Sequence, residues 1–111
     1  MTEIQTKLED GVAILSCEGR LNMVAAPRLK TAIEQAVADG GTKVVVDISE
    51  ATFIDSSGLG TLVAGLKRAR QAGGDLRIAG AGEQAVAVLG LTNLDRILRP
   101  YPSVEAAVGE W

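Results

Sequence analysis

The 111 residues include 47% apolar side chains but only 3% aromatic ones, and the formal net charge at pH 7 is −3, so we expect one domain over residues 1–111 with an aliphatic core. The acidic balance argues against nucleic acid as a partner, because affinity for phosphate backbones comes mainly from clustered lysine and arginine. The absence of histidine excludes Ser-His-Asp and Cys-His catalysis and removes the commonest zinc ligand.

A β-hairpin is expected at the beginning of the chain. Apolar and polar side chains alternate over residues 4–9, and the tight-turn pair Asp10-Gly11 precedes an apolar segment over residues 12–17. Cys17 is the only cysteine, so no disulfide within the chain is possible. Its apolar surroundings predict a small core residue rather than a reactive thiol.

The next segments predict a helix and then a central strand. The chain is expected to leave the sheet over residues 19–22, and Pro27 suits the first turn of a helix that ends at the glycine pair 40–41. Residues 43–48 form a nearly continuous β-branched run that ends at polar Ser49. Such a run is typical of a strand that is covered on both faces.

The segment after this strand is where we expect function. Apolar residues repeat with a helical period from Leu59 onwards, and basic side chains precede the glycine pair 73–74, which indicates a helix with a glycine cap. Asp55, Ser56 and Ser57 then lie at the N-terminus of this helix. There, free backbone N–H groups and the positive end of the helix dipole favour hydroxyls, carboxylates and phosphates.

The rest of the chain predicts shorter elements. A strand is expected over residues 75–79 and a helix over 83–90, after which residues 91–94 close against the core. Residues 97–98 are expected to form an edge strand that the following prolines interrupt, and Ser103 to cap a last helix. The two strand–helix–strand units require parallel strands with right-handed crossovers, so both main helices can lie on one face of a mixed sheet.

The serine junction allows several interpretations. One is a simple helix cap, but two hydroxyls, one acid and two glycines within six positions exceed what a cap needs, and the glycines suggest a close approach to the backbone. A second interpretation makes Ser56 a catalytic nucleophile, but the sequence has no G-x-S-x-G motif, no histidine and no lysine in an S-x-x-K motif. A third makes the junction a loop that binds a nucleotide phosphate, but neither glycine-rich phosphate-binding motif is present. Phosphorylation of Ser56 by another protein requires only an exposed hydroxyl, and it makes the chain a substrate rather than an enzyme.

The sequence gives no support for a metal site, a cofactor or a membrane location. Asp47 and Asp55 flank the strand end eight residues apart, and we interpret them as solvated or capping acids. No apolar run approaches the roughly 20 residues of a membrane-spanning helix, and the first residues do not resemble a signal segment. We therefore expect a soluble, cytoplasmic protein without membrane insertion.

The stretch V-V-V-D-I-S followed by D-S-S-G-L-G resembles the STAS domain family and is similar to the bacterial anti-sigma factor antagonists. The resemblance covers nearly the whole chain, including G-R-L-N before A-A-P-R-L, then A-G-G-D-L-R-I-A-G, L-G-L-T and the closing S-V-E-A-A. It implies an α/β fold with a mixed sheet of four to five strands, about four helices, and the main helices packed on one face.

The resemblance also implies a phosphorylation switch. In the family, the first serine after the aspartate is phosphorylated by the cognate anti-sigma factor, a serine kinase of the GHKL type, and this match makes Ser56 the acceptor. The unphosphorylated form then captures the anti-sigma factor and frees a sigma factor, and a PP2C-type phosphatase resets the chain. ATP and its magnesium belong to the kinase. The residues expected at the kinase interface are Asp55, Ser57, Gly58, Leu59 and Asn22, of which Leu59 also fits the core.

Asn22 departs from the family pattern, in which aspartate is common at this place near the acceptor, so the kinase contact loses one charge. Other STAS proteins are never phosphorylated and act as structural or regulatory parts of lipid transporters. The alternative functions are therefore an interaction subunit of a membrane transport complex, with Ser56 and Asp55 used only for capping and docking, and a small-ligand or nucleotide-sensing module.

Overall fold

Over residues 3–109 and 111, which the computed structural model describes, five strands form one mixed sheet in chain order. The strands are β1 Glu3–Glu9, β2 Val12–Leu21, β3 Lys43–Ile54, β4 Asp75–Ala79 and β5 Pro100–Tyr101. β1 pairs antiparallel with β2, and each later pair of neighbours is parallel. The parallel pairs need crossover connections, which the helices provide.

Helices cover both faces of this sheet unequally. The helices are α1 Ala26–Ala38, α2 Ser56–Gln71, α3 Glu83–Leu91 and α4 Val104–Gly109, with a 3₁₀ turn at Leu94–Arg96. Buried residues of α1, α2 and α3 share one core cluster with Val44 and Val46 of β3, whereas Val45 belongs to a second cluster with Ala107 of α4. Alternate side chains of β3 therefore pack into two separate cores, one on each face of the sheet. The expected α/β fold with its main helices on one face is confirmed.

The predicted hairpin is confirmed together with its turn. Asp10 and Gly11 have φ values of 50° and 79°, as a two-residue turn with both central residues in the left-handed region requires. β1 and β2 pair from Glu9 and Val12 outwards. Cys17 on β2 is 1% exposed, which confirms its assignment to the core.

The caps predicted for two helices are also confirmed. At the end of α2, the N–H of Gly74 donates to the carbonyl of Ala69 at 2.8 Å, and Gly73 has φ +87°, which together form a Schellman cap. At the beginning of α4, the N–H of Ala106 donates to Ser103 Oγ at 3.1 Å.

The two central strands are longer than the sequence pattern predicts. The expectation that residues 19–22 leave the sheet is wrong, because β2 continues to Leu21, and β3 does not stop at Ser49 but continues to Ile54. The register of the two strands shifts twice along this stretch, each time with one extra residue in β3. Such bulges break the alternation by which a strand is recognised. As a result, only Asp55 separates β3 from α2, without a loop.

One expectation for the last third of the chain is wrong, and a second is confirmed only in part. Residues 97–98 do not form the edge strand, which lies at Pro100–Tyr101 instead and pairs with the end of β4; a proline is compatible with an edge position. The expectation that residues 91–94 close against the core is confirmed at Leu94, which packs against the core cluster, but not at Leu91, which is 86% exposed. It lies outside the stripe that Ala85 and Leu89 form at i, i+4 spacing on α3.

Burial raises the pKa of the Cys17 thiol from its ordinary value of 9.0 to about 12, and the negative charge of Asp47 acts in the same direction. The thiol of the unfolded chain therefore ionises at a lower pH than the thiol of the folded chain. Above pH 9, this proton loss favours the unfolded state. The contribution of Cys17 to stability is complete below that pH and decreases as the pH rises towards 12.

We predict that the free energy of unfolding of the natural chain decreases by about 2–3 kcal/mol more than that of a Cys17→Ala variant between pH 9 and pH 11, since each unit of pKa difference corresponds to about 1.4 kcal/mol. Urea denaturation at a series of pH values measures this difference. Because the Cys17→Ala variant keeps every other titrating group, its pH profile is the control for their contribution. Parallel pH profiles of the two proteins would contradict the prediction.

Candidate functional site

Asp55 joins the end of β3 to the beginning of α2. Its backbone is extended, and its Oδ1 accepts a hydrogen bond from the N–H of Gly58 at 3.0 Å, which makes it the N-cap of α2. Its own N–H donates to the carbonyl of Leu21 at 3.2 Å. The predicted capping role is confirmed, and the half-buried carboxylate is already engaged by the helix.

Ser56 is the first residue of α2 and is exposed, whereas Ser57 is half-buried. Because Asp55 caps the helix, the Ser56 hydroxyl is not needed for that task. The carbonyl of Ser57 accepts a hydrogen bond from Thr61 Oγ1 at 3.0 Å within the helix. The junction thus presents one serine to solvent at the positive end of a helix of 16 residues, a place that accommodates an anion.

The two glycines at this helix end have different surroundings. A Cβ atom at Gly58 would lie 2.5 Å from the carbonyl oxygen of Leu21 and 3.0 Å from Ile54 Cγ1, whereas a Cβ atom at Gly60 would meet nothing within 4 Å. Gly58 therefore permits a tight contact between helix and strands, one of the close approaches expected from the sequence. No contact within the described chain explains Gly60, which is exposed.

Asn22 lies in the turn between β2 and α1, beside the N-terminus of α2. Its Oδ1 accepts hydrogen bonds from the N–H groups of Val24 and Ala25, each at 3.1 Å. An aspartate could accept the same two bonds, so the departure from the family pattern changes the charge without requiring another turn geometry. The neighbouring Leu21 contacts both Asp55 and Gly58, which brings this turn next to the serine junction.

Met23 and Val24, in the same turn, are 72% and 79% exposed. Neither residue was predicted as a site residue from the sequence. Two adjacent large apolar residues between a strand and the proline of the following helix are the signal that could have identified them, since such residues rarely occupy a solvated turn without a role.

The predicted interface residues fall into two groups. Ser56, Ser57, Asp55 and Asn22 are at least partly accessible. Gly58 and Leu59 are buried, and Leu59 is 4% exposed and packs in the core below α2. In this structure the second group fixes the position of the helix, and the first group forms the surface.

The described residues show no cluster of three or more cysteine, aspartate or glutamate side chains that could hold a metal ion. Asp47 and Asp55 each accept a hydrogen bond from a backbone N–H nearby in sequence, as local caps do. Within residues 3–109 and 111, no helix has both the length and the apolar character that crossing a membrane requires.

Residues 3–107 match the family model of the STAS domain. The chain belongs to the STAS domain family. This match covers all five strands and the beginning of α4, and it confirms the resemblance found in the sequence.

Two known proteins resemble the chain, one by its sequence and one by its structure. The anti-sigma-F factor antagonist RsfB of Mycobacterium tuberculosis is 30% identical over 99 residues, which are 89% of this chain and 80% of RsfB. The crystal structure of protein TM1081 of Thermotoga maritima superposes with a TM-score of 0.89 at 32% identity, over 96% of this chain and 92% of that one.

A more distant structure shows the fold alone. The unphosphorylated form of SpoIIAA, an anti-sigma factor antagonist from Bacillus, superposes with a TM-score of 0.83 at 17% identity, over 97% of this chain and 95% of SpoIIAA. Its phosphorylated form superposes with a TM-score of 0.75, also at 17% identity, over 97% of this chain and 98% of SpoIIAA.

We predict opposite effects for alanine at the two glycines of α2. Gly60→Ala should raise the free energy of unfolding by about 0.5–1 kcal/mol, because alanine is the better helix former and the position is open. Gly58→Ala should lower it by about 1–3 kcal/mol, because its Cβ atom would overlap the backbone of Leu21. Urea denaturation of both variants tests this, and a shift of the same sign in both would contradict the described packing.

Proposed function

We propose that the chain is an anti-sigma factor antagonist. Its unphosphorylated form binds an anti-sigma factor that is a serine kinase of the GHKL type and thereby frees a sigma factor, and phosphorylation of Ser56 blocks this binding. The observation that carries the proposal is the exposed Ser56 at the first position of α2, beside a cap that Asp55 already supplies. The relatives support it, since RsfB is named as an anti-sigma-F factor antagonist.

The chemistry requires little from this chain. The kinase transfers the γ-phosphoryl group of ATP to Ser56 Oγ, so an Oγ–P bond forms while the bond to ADP breaks, and a base on the kinase takes the hydroxyl proton. ATP, magnesium and this base belong to the kinase, which makes the chain a substrate rather than an enzyme. A PP2C-type phosphatase removes the group by hydrolysis. The cytoplasm is the compartment in which these partners meet.

The surface around Ser56 offers contact area for such a partner. The exposed apolar pair Met23 and Val24 lies in the turn next to the helix N-terminus. Gly60 follows Ser56 by four residues and therefore lies on the same side of α2, where the missing side chain leaves the backbone open. An apolar contact beside an unobstructed helix surface is suited to the approach of another protein.

The inhibitory effect of phosphorylation follows from charge. A phosphoryl group adds roughly −1.5 to −2 charges at a helix N-terminus, which tolerates anions, so the fold should survive. The phosphoryl group and an acidic side chain of the partner would repel each other by about 4 kcal/mol if they lay about 4 Å apart near the protein surface, at an effective dielectric of 20. Even half of this energy weakens binding more than tenfold. The modification then acts on the interface and leaves the shape of the chain unchanged.

The first experiment maps the modification. Each GHKL-type serine kinase encoded in the source genome is incubated with the chain, ATP and magnesium, and the phosphorylated residue is located by mass spectrometry. We expect one phosphoryl group, on Ser56, and none on a Ser56→Ala variant. Modification of Ser57 alone would refute the residue assignment. A chain that none of these kinases modifies would point instead to an interaction subunit of a membrane transport complex.

We predict that Ser56→Ala binds the kinase anti-sigma factor as tightly as the unmodified chain, whereas Ser56→Asp binds about tenfold more weakly, because only the second variant adds a charge at the interface. Isothermal titration calorimetry measures both affinities. Gln71→Glu is the matched control, since it adds the same charge at the exposed end of the same helix, about 22 Å away. Equal affinities of Ser56→Ala and Ser56→Asp would contradict the electrostatic account.

A further inference from the structure

The last part of β3 has a strand neighbour on only one side. β4 pairs with residues 43–47 of β3 and ends at Ala79, whereas β2 continues along β3 until Leu21 lies beside Ile54. The backbone groups of residues 48–54 that point away from β2 therefore have no strand to pair with. An unpaired strand edge at this place would leave the backbone that leads to Ser56 loosely held.

The side chain of Gln84 takes the place of a strand at the end of this edge. The N–H of Ile54 donates to Gln84 Oε1 at 3.0 Å, and Gln84 Nε2 donates to the carbonyl of Ile54 at 2.8 Å. One amide thus satisfies both backbone groups of the last residue of β3. We refer to these two hydrogen bonds as the Gln84 clamp. The amide offers a donor and an acceptor together, which an ionised carboxylate cannot do because it has no donor.

The backbone before Ser56 is held on two sides, and the Gln84 clamp is one of them. Gln84 is the second residue of α3, and α3 is anchored by the buried Ala85 and Leu89. On the opposite side, the N–H of Asp55 donates to Leu21 of β2. The backbone is therefore fixed from two directions immediately before Ser56.

We propose that Gln84 is a positioning residue for phosphorylation of Ser56. This inference rests on the proposed function, and it adds a residue of α3 that does not belong to the serine junction itself. A clamp on Ile54, two residues before the acceptor, sets the direction in which the serine hydroxyl faces an incoming phosphoryl donor. Transfer reactions depend steeply on such alignment, and a misplacement of about 1 Å can cost about 100-fold in rate.

The test compares Gln84→Ala with Gln35→Ala. Gln35 is an exposed glutamine of α1 whose side chain also makes a hydrogen bond, to Asp39 at 3.1 Å, so the control removes the same atoms away from the junction. Amide hydrogen exchange is followed by NMR at Ile54 and at Val45, which has strand neighbours on both sides. In parallel, kcat and KM are measured with the kinase that modifies Ser56.

We expect Gln84→Ala to reduce the protection of the Ile54 amide at least tenfold more than that of Val45, and to lower kcat about tenfold with KM nearly unchanged. Gln35→Ala should change neither quantity. Unchanged protection at Ile54 would overturn the clamp, and lost protection with an unchanged kcat would overturn its positioning role. If no kinase modifies the natural chain, the proposed function and the role at Ser56 both fail, whereas the exchange data still decide whether the clamp exists.

A second variant separates the clamp from a general loss of stability. In Gln84→Glu, the ionised carboxylate cannot donate to the Ile54 carbonyl, and the repulsion between the two oxygens should push it away from the Ile54 N–H as well, whereas the protonated carboxyl group can donate to the carbonyl and accept from the N–H. Protection at Ile54, corrected for the intrinsic effect of pH on exchange, should therefore recover when the medium is acidified, and Gln84→Ala should show no such recovery. Identical pH profiles of the two variants would overturn the clamp.

Discussion

The parallel pairing of β2 with β3 as far as Leu21 and Ile54 is the constraint on which the candidate site depends. Because parallel strands end at the same edge of a sheet, this pairing brings the Asn22 turn and the beginning of α2 together. The carbonyl of Leu21 holds the N–H of Asp55 and leaves room only for a glycine at residue 58. In open α/β sheets this edge is the common location of binding sites.

The residues of the D-S-S-G-L-G stretch divide structural and chemical tasks among themselves. Asp55 caps the helix, Gly58 allows it to pack against the strand ends, and Leu59 enters the core. These three contacts fix α2 without using the hydroxyl of Ser56, which remains exposed. A hydroxyl that has no structural task can be modified without unfolding the chain, as a reversible switch requires.

Local patterns in the sequence were sufficient to predict most elements and the position of the junction. The hairpin turn, the caps at Gly73-Gly74 and Ser103, and the location of Ser56 at the start of a helix each depend on residues close together in the chain, so their signals are local. The full length of β2 and β3 was not predicted, because two bulges disturb the alternation. The apolar pair at residues 97–98 predicts an edge strand, but the strand lies at Pro100–Tyr101, because an edge position is compatible with proline.

Gln84 shows a different limit of local prediction. Its amide contacts a residue 30 positions earlier in the chain, and it occupies an ordinary place near the start of a helix. Neither helical periodicity nor capping rules indicate such a contact, since both consider only near neighbours. The unpaired edge is recognised only in the sheet, where β4 pairs with β3 as far as Asp47 while β3 continues to Ile54. The amide of Gln84 pairs with the last residue of that edge.

We propose that one phosphoryl group on Ser56 prevents association by its charge alone. The most direct measurement is the affinity of the singly phosphorylated and the unmodified chain for the same kinase anti-sigma factor, at low and at high ionic strength. We expect phosphorylation to weaken binding more than about tenfold at low salt, and we expect this difference to become smaller as salt screens the charges. Equal affinities of the two forms at low salt would contradict it.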